Sequence, residues 1–197
     1  MLEKLPILAL TLIVGLSGCN RARRSIAPDI NAAEYDLFSG YLAYRFDGYQ
    51  KNYLRLSFLN MTQSAEDDRT PFAEPPVSWQ QTAEFLRQKA PVLQQTTIDS
   101  YHKANTQQAF IGHSLRSPID YKLVDSAERN SYYERELCGD KVVTWSRVGF
   151  SADGTQALFY ESDRGRLCGT GRYIVMEKEN GNWTMKKDIM VRQMIYD

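Results

Sequence analysis

Apolar positions follow a helical period in the first part of the chain and an alternating one in the last third. Tyr35, Phe38, Leu42 and Phe46 recur at steps of three and four residues, on one face of a helix. Asn31 suits the N-cap and Gly48 the stop, so the helix is expected to run to about Asp47. Such an aromatic stripe packs on a sheet or lines a cleft, and sheet packing is the expectation. Tyr53 to Met61 alternates, with Leu54, Leu56 and Phe58 on one face, and reads as a strand. Thr62 to Val77 is acidic and Pro-containing and reads as a loop; its acids lack the ligand spacing and glycine of an EF-hand. Ser78 caps a helix to about Lys89 that buries Trp79, Ala83 and Leu86, and Pro91 breaks it. A short helix capped by Thr97 follows, with Ile98, Tyr101 and Asn105 near one face. Phe110 to Asp120 is irregular, Tyr121 to Val124 a short strand, and Ser126 to Tyr133 a helical turn.

From Lys141 onward the alternation is sustained. Lys141–Phe150, Gln156–Glu161, Arg172–Glu179 and Trp183–Val191 are expected as four antiparallel strands. Ala152-Asp153-Gly154, Gly165 to Gly171 and Glu179-Asn180-Gly181 supply the turns, and Asn180-Gly181 between two alternating runs is a hairpin signal. Helices first and sheet last argue an α+β fold, with N-terminal helices packed on one face of a mainly antiparallel, C-terminal meander sheet.

Ser146-Arg147-Val148-Gly149-Phe150, Gln156 to Tyr160, Gly169 to Tyr173 and Lys178 to Trp183 occur in that order. This part resembles a set of uncharacterised bacterial proteins carrying S-R-x-G-F, A-L-x-Y, G-x-G-x-Y and K-x-x-x-x-W. The resemblance implies a shared sheet and no activity. Physically, Gly149 permits a bulge or a close approach, while Gly169 and Gly171 permit positive φ at the turn into the third strand. Trp183 is expected in the sheet–helix core. Gly169-Thr170-Gly171 lacks the strand–loop–helix setting of a phosphate loop.

The N-terminus carries a different pattern. Leu5 to Ser17 is nearly all apolar, with Lys4 ahead of it. That run is too short for a bilayer core of ~30 Å, which needs about 20 helical residues. It fits the apolar region of a secretory signal, 1–18, with small residues before the cleavage point. Leu16-Ser17-Gly18-Cys19 resembles a lipobox, the bacterial lipoprotein signal. The resemblance implies diacylglycerol on the Cys19 sulfur, cleavage before Cys19 and acylation of the new amino group. Two or more chains anchor stably where one is marginal. Asn20 in place of Asp at the next position implies the outer membrane, where the source has one. Arg21, Arg23 and Arg24 point the other way: by the positive-inside rule they favour a cytoplasmic C-terminal side. The alternatives are a lipid-anchored tether over 19–30 followed by one α+β domain over 31–197, or an N-terminal anchor with a cytoplasmic domain.

The 197 residues carry 24 Lys plus Arg and 24 Asp plus Glu, so no net charge. Nucleic-acid binding, which needs a basic surface, is therefore not expected. With Cys19 assigned to lipid, Cys138 and Cys168 remain, and an even pair in an exported chain points to a disulfide. The strands they precede would start two spacings apart, ~10 Å, so the lead-in loops must curl to bring the Cα atoms within ~7 Å. Buried free thiols are the alternative. No zinc set is completed, and no metal or other cofactor is expected.

His102 and His113 are the only histidines and neither stands in a catalytic frame; G-x-S-x-G and H-E-x-x-H are absent. Glu134 and Glu136 read as solvated rather than as an acid–base pair. Arg147 lies mid-strand between Trp145 and Phe150 and needs an acidic partner if it faces inward, with Glu161 on the next strand the candidate. An exposed arginine or an anion contact are its other readings. The expected function is a non-enzymatic envelope lipoprotein, held on the membrane by the Cys19 lipid and binding an envelope protein or the cell wall through its sheet or the 62–77 loop. The alternatives are a small-ligand binder with a cleft between helices and sheet, and a hydrolase with an unrecognised site.

Overall fold

A computed structural model describes residues 27–47, 56–59, 61, 62, 78–125, 128, 142–164 and 168–195. Helix α1 covers Ala32–Arg45, α2 Trp79–Lys89 and α3 Gln95–Ala104. The strands are β1 Leu56–Leu59, β2 Tyr121–Val124, β3 Val142–Trp145, β4 Gly149–Phe150, β5 Gln156–Arg164, β6 Cys168–Glu179 and β7 Asn182–Ile195. They form one seven-stranded sheet, in the order β2-β1-β3-β5-β6-β7, with β4 paired to β5 beside β3. The fold is α+β, with its helices early and a mainly antiparallel sheet late. No helix among the described residues is long and apolar enough to cross a membrane.

Local chemistry explains most of the boundaries. Asn31 and Glu34 form a capping box at the start of α1, as do Ser78 and Gln81 at α2, so each satisfies two otherwise orphan amides. Helix α3 differs from the expected Thr97 cap: its N-cap is Gln94, which makes no side-chain cap bond. The buried Gln156 carboxamide serves instead, accepting from Gln94 N at 2.8 Å and from Thr97 Oγ1 at 3.1 Å. Asn180 and Gly181 both take positive φ, 53° and 84°, the twist that a two-residue hairpin between β6 and β7 requires.

The antiparallel half of the sheet follows the expected meander; its first strand is split into β3 and β4, and β5, β6 and β7 run longer than the alternation suggested. Cys168 to Gly171 are already strand, paired across to Ile195 through Arg192, and neither Gly169 nor Gly171 has positive φ. Gly171 is needed for space: a Cβ there would overlap the Tyr160 hydroxyl on the neighbouring strand. The other half is parallel. Strand β1 lies between β2 and β3 and runs parallel to both. A parallel β1–β2 neighbour requires a crossover, which α2 and α3 supply.

Both faces of the sheet are covered. On β5, Ala157 and Phe159 face the core formed with α1, whereas Leu158 and Tyr160 face the core formed with α2 and α3. Alternation puts successive side chains on opposite faces, and a central strand apolar on both is buried on both. The helices therefore divide, α1 on one face and α2 with α3 on the other. The aromatic stripe of α1 is packed rather than open: Phe38 stacks on Trp145 at 4.3 Å, and Tyr41 meets Phe159 edge-on at 5.1 Å. Trp183 joins this core, as expected, against Gly40. Trp79 is only half-buried and stacks on the exposed His102 ring at 4.3 Å, while Ala83 and Leu86 carry the buried face of α2.

The domain begins before α1. Phe110 O accepts from Ile30 N at 2.9 Å and Phe110 N donates to Pro28 O at 2.8 Å. Phe110 also bridges to Met61, beside a Thr62 N to Ala109 O bond of 2.9 Å. Residues 28–30, at the end of the expected tether, are thus joined to the domain, with Ile30 in its core.

Candidate functional site

The sheet face under α1 carries two clusters of charged side chains where the pattern calls for apolar ones. The first sits at the N-terminal end of α1. The strand expected over 141–150 is interrupted at 146–148, because Ser146 Oγ accepts from Tyr160 N at 2.8 Å in place of a ladder carbonyl. Gly149 then passes so close to the Tyr101 backbone of α3 that a Cβ would overlap it. This is the close approach the sequence allowed for. In the gap the Arg147 backbone is clamped by Asn105, whose Oδ1 accepts from Arg147 N at 2.9 Å and whose Nδ2 donates to Arg147 O at 3.1 Å.

That geometry corrects the expected partner of Arg147. Its guanidinium reaches Glu34 rather than Glu161, with Nε to Oε1 at 2.7 Å and Nη2 to Oε2 at 2.9 Å. Glu34 is 1% exposed and accepts twice more, from Val148 N at 3.1 Å and Asn31 N at 2.9 Å. Two donors at each oxygen fill the carboxylate's acceptor sites. The pair is bidentate, which favours arginine over lysine here. With Nε and Nη2 already on a carboxylate, the geometry makes Arg147 a structural tie and gives no support to an anion contact.

Glu161 organises the second cluster, at the C-terminal end of α1. It is fully buried, accepts from Arg45 Nη1 at 2.5 Å and Trp145 Nε1 at 2.9 Å, and has Arg172 Nε at 3.5 Å. Arg172 also donates to Asp188 at 3.1 Å and to Thr170 Oγ1 at 3.1 Å. Asp163 Oδ1 accepts from Thr170 N and Thr170 Oγ1, each at 2.9 Å. Burial works against the charge on Arg45, but Glu161, Tyr41 and Asp163 outweigh it and raise its pKa above the ordinary value. Arg172 is likewise penalised by burial and raised overall by Glu161 and Asp188. Burial first, then the Glu161 charge, drive the Tyr41 phenol strongly upward and keep it a neutral donor.

The hydroxyl that meets a carboxylate in these clusters, Thr170 Oγ1 on Asp163 Oδ1, also accepts from Arg172 Nη2 at 3.1 Å. Ser146 Oγ donates to Arg147 O at 2.8 Å, and Ser151 Oγ donates to Asp153 at 2.6 Å inside a tight turn. His102 and His113 are exposed, one on α3 and one beyond it. Among the described residues no three His, Cys, Asp or Glu converge as a metal set.

Cys19, Cys138, Glu134 and Glu136 lie outside the described residues, as does the 62–77 loop beyond Thr62. Cys168 is half-buried at the start of β6. Val142, at the start of β3, and Gly169, beside Cys168, both pair with Arg164, so these two strand starts flank β5 from opposite sides. Glu34, Arg45 and Arg172 were not singled out by sequence. Asn31-x-x-Glu34 does read as a capping box, and Glu161 and Asp163 break the apolar alternation of β5; both were available signals.

No protein-family model, no curated protein and no solved structure matches this chain.

Proposed function

We propose that the chain is a bacterial envelope lipoprotein, held on the membrane by acyl chains on Cys19. Its α+β domain braces or binds an envelope partner and carries out no chemistry of its own. The observation that carries the anchor is Leu16-Ser17-Gly18-Cys19 at the end of an apolar run too short to span a bilayer. The domain's design is in keeping with a non-enzymatic role. Its buried carboxylates are each engaged within the fold, Glu34 and Glu161 by arginines and Asp163 by the Thr170 amide and hydroxyl. A bridge between Cys138 and Cys168 belongs to the same exported reading, and Asn20 after Cys19 is what favours the outer membrane where there is one.

Fractionation of cells making Cys19→Ser tests the anchor: release from the membrane is expected, and undiminished membrane association would overturn it in favour of an N-terminal anchor. Crosslinking in intact cells tests the partner: a reproducible crosslinked envelope component is expected, and its absence at full expression would overturn the partner-binding role.

A further inference from the structure

We infer that β7 is an open sheet edge built to keep two copies of this chain from joining strand to strand. The inference does not depend on lipid at Cys19. Strand β7 is 14 residues long, and among the described residues it has a neighbour on one side only, β6. Lys186, Lys187, Asp188, Met190 and Val191 are exposed, so the middle of the strand is open to solvent. A long open edge is a template for another strand, and Met190 and Val191 add exposed apolar surface to it. The opposite edge, β2, is four residues long and carries the exposed Lys122, and short length and a lysine both blunt an edge. Strand β7 lacks the first of these protections and has two others.

Two copies would pair antiparallel about a two-fold axis, with residue i opposite j and j opposite i. The axis keeps every side chain on its own face, so alternation makes it pass through a residue that faces its own copy. Charge closes most registers. Centred on Lys186, Lys187, Asp188 or Arg192, a charged residue faces itself, and centred on Ile189, Lys186 faces position 192, an arginine. Like charges directly opposite disfavour pairing. Lys186 is shared with Glu177 and Glu179, whereas Lys187 has no ion-pair partner among the described residues. Registers centred on Met185, Met190 or Val191 oppose no like charges, and they meet the bulges instead. Met185 pairs with Met176 and Lys187 with Val175, then Met190 with Arg172 and Arg192 with Gly171, so Lys186 and Val191 are extra residues. One of them stands at the centre of each of these three registers or next to it, where a bulge bends the strand and breaks the ladder. Registers further out join only 182–186 or 191–195, or less.

The test measures protein mass by light scattering for the full chain in a nonionic detergent, at concentrations up to about 100 μM. The parent is compared with Lys186→Thr/Lys187→Thr and with the same double variant also lacking Val191. The substitutions relieve the registers centred on Lys186, Lys187 and Ile189. The deletion straightens the one centred on Met190, and it leaves Met190 opposite Arg172 and Arg192 opposite Gly171, so the pairing with β6 is kept. Mass is expected to rise above the parent's in the double variant and to reach about twice the parent's in the deletion variant. Far-UV circular dichroism reports folding, and should the deletion chain unfold, the double variant, confined to exposed side chains, decides alone. Folded variants whose mass equals the parent's at every concentration overturn the inference. A parent that is already a dimer, and that Val191→Lys splits into single chains, overturns it as well.

Discussion

Replacing Glu34 with Gln is the sharpest test of how the domain is held together. The carboxylate takes two donors on each oxygen, Arg147 Nε with Val148 N and Arg147 Nη2 with Asn31 N. In Gln one oxygen becomes an NH2 group facing two donors, so two bonds vanish and like groups are pressed together in a buried site. Hydrogen bonds to charged groups contribute ~1.5–3 kcal/mol each, and breaking a buried ion pair costs about 3–5 kcal/mol. A loss of about 3–5 kcal/mol is therefore expected. With a urea m-value of about 2 kcal/mol/M, the unfolding midpoint should fall by about 2 M. Equilibrium urea unfolding followed by tryptophan fluorescence measures it, and Trp145 in the core reports the transition. Glu84→Gln is the control, since Glu84 and Arg87 are both exposed and such pairs contribute ~0–1 kcal/mol. Arg147→Met combined with Glu34→Gln should cost clearly less than the sum of the two single changes. A midpoint shift for Glu34→Gln no larger than that of Glu84→Gln would refute the tie between α1 and the β3–β4 gap.

Further outcomes follow from single contacts. Gly171→Ala should destabilise by about 1–3 kcal/mol through overpacking against the Tyr160 hydroxyl; Tyr160→Phe in the same chain should recover part of it, and purely additive costs in urea unfolding would contradict that cause. Hydrogen bonds from Ser151, the Thr155 amide and the Thr155 hydroxyl hold the Asp153 carboxyl down to about 2. Its stabilising effect should be complete above the ordinary 3.8 and fade as pH falls to about 2, and an NMR titration of Asp153 with a midpoint near 4 would contradict it. For protein from an oxidising compartment, mass spectrometry with alkylation before and after reduction should find Cys138 and Cys168 alkylated only after reduction. Reduction should also cost about 3–4 kcal/mol on the chain-entropy model, and two thiols alkylated without reductant would remove the bridge.

Local signals in the sequence carried the local structure. Asn180-Gly181 and the alternation around it gave the β6–β7 hairpin, and Asn31 and Ser78 marked two helix starts, because each effect acts within a few residues. Pairings between distant segments were not legible. The parallel contacts of β1 involve strands of four residues whose partners lie 65 and 85 positions onward, and periodicity does not name a partner. The same holds for the charged sites. Arg147 was legible as needing an acid, but its partner could not be named: Ser146 ends the strand early and turns Arg147 toward α1, 113 residues before it. Gln156 shows it again, since Gln94, a poor capping residue, has its amide satisfied from a strand 62 residues onward. A glycine at 171 suggests conformational freedom, whereas the fold uses it to make room for Tyr160, which only packing reveals.

The anchor is tested most directly by the intact mass of the protein extracted from membranes. A chain beginning at Cys19 and carrying diacylglycerol plus an amide-linked acyl group is the expected result. A chain that keeps Leu16-Ser17-Gly18 ahead of an unmodified Cys19 would contradict it.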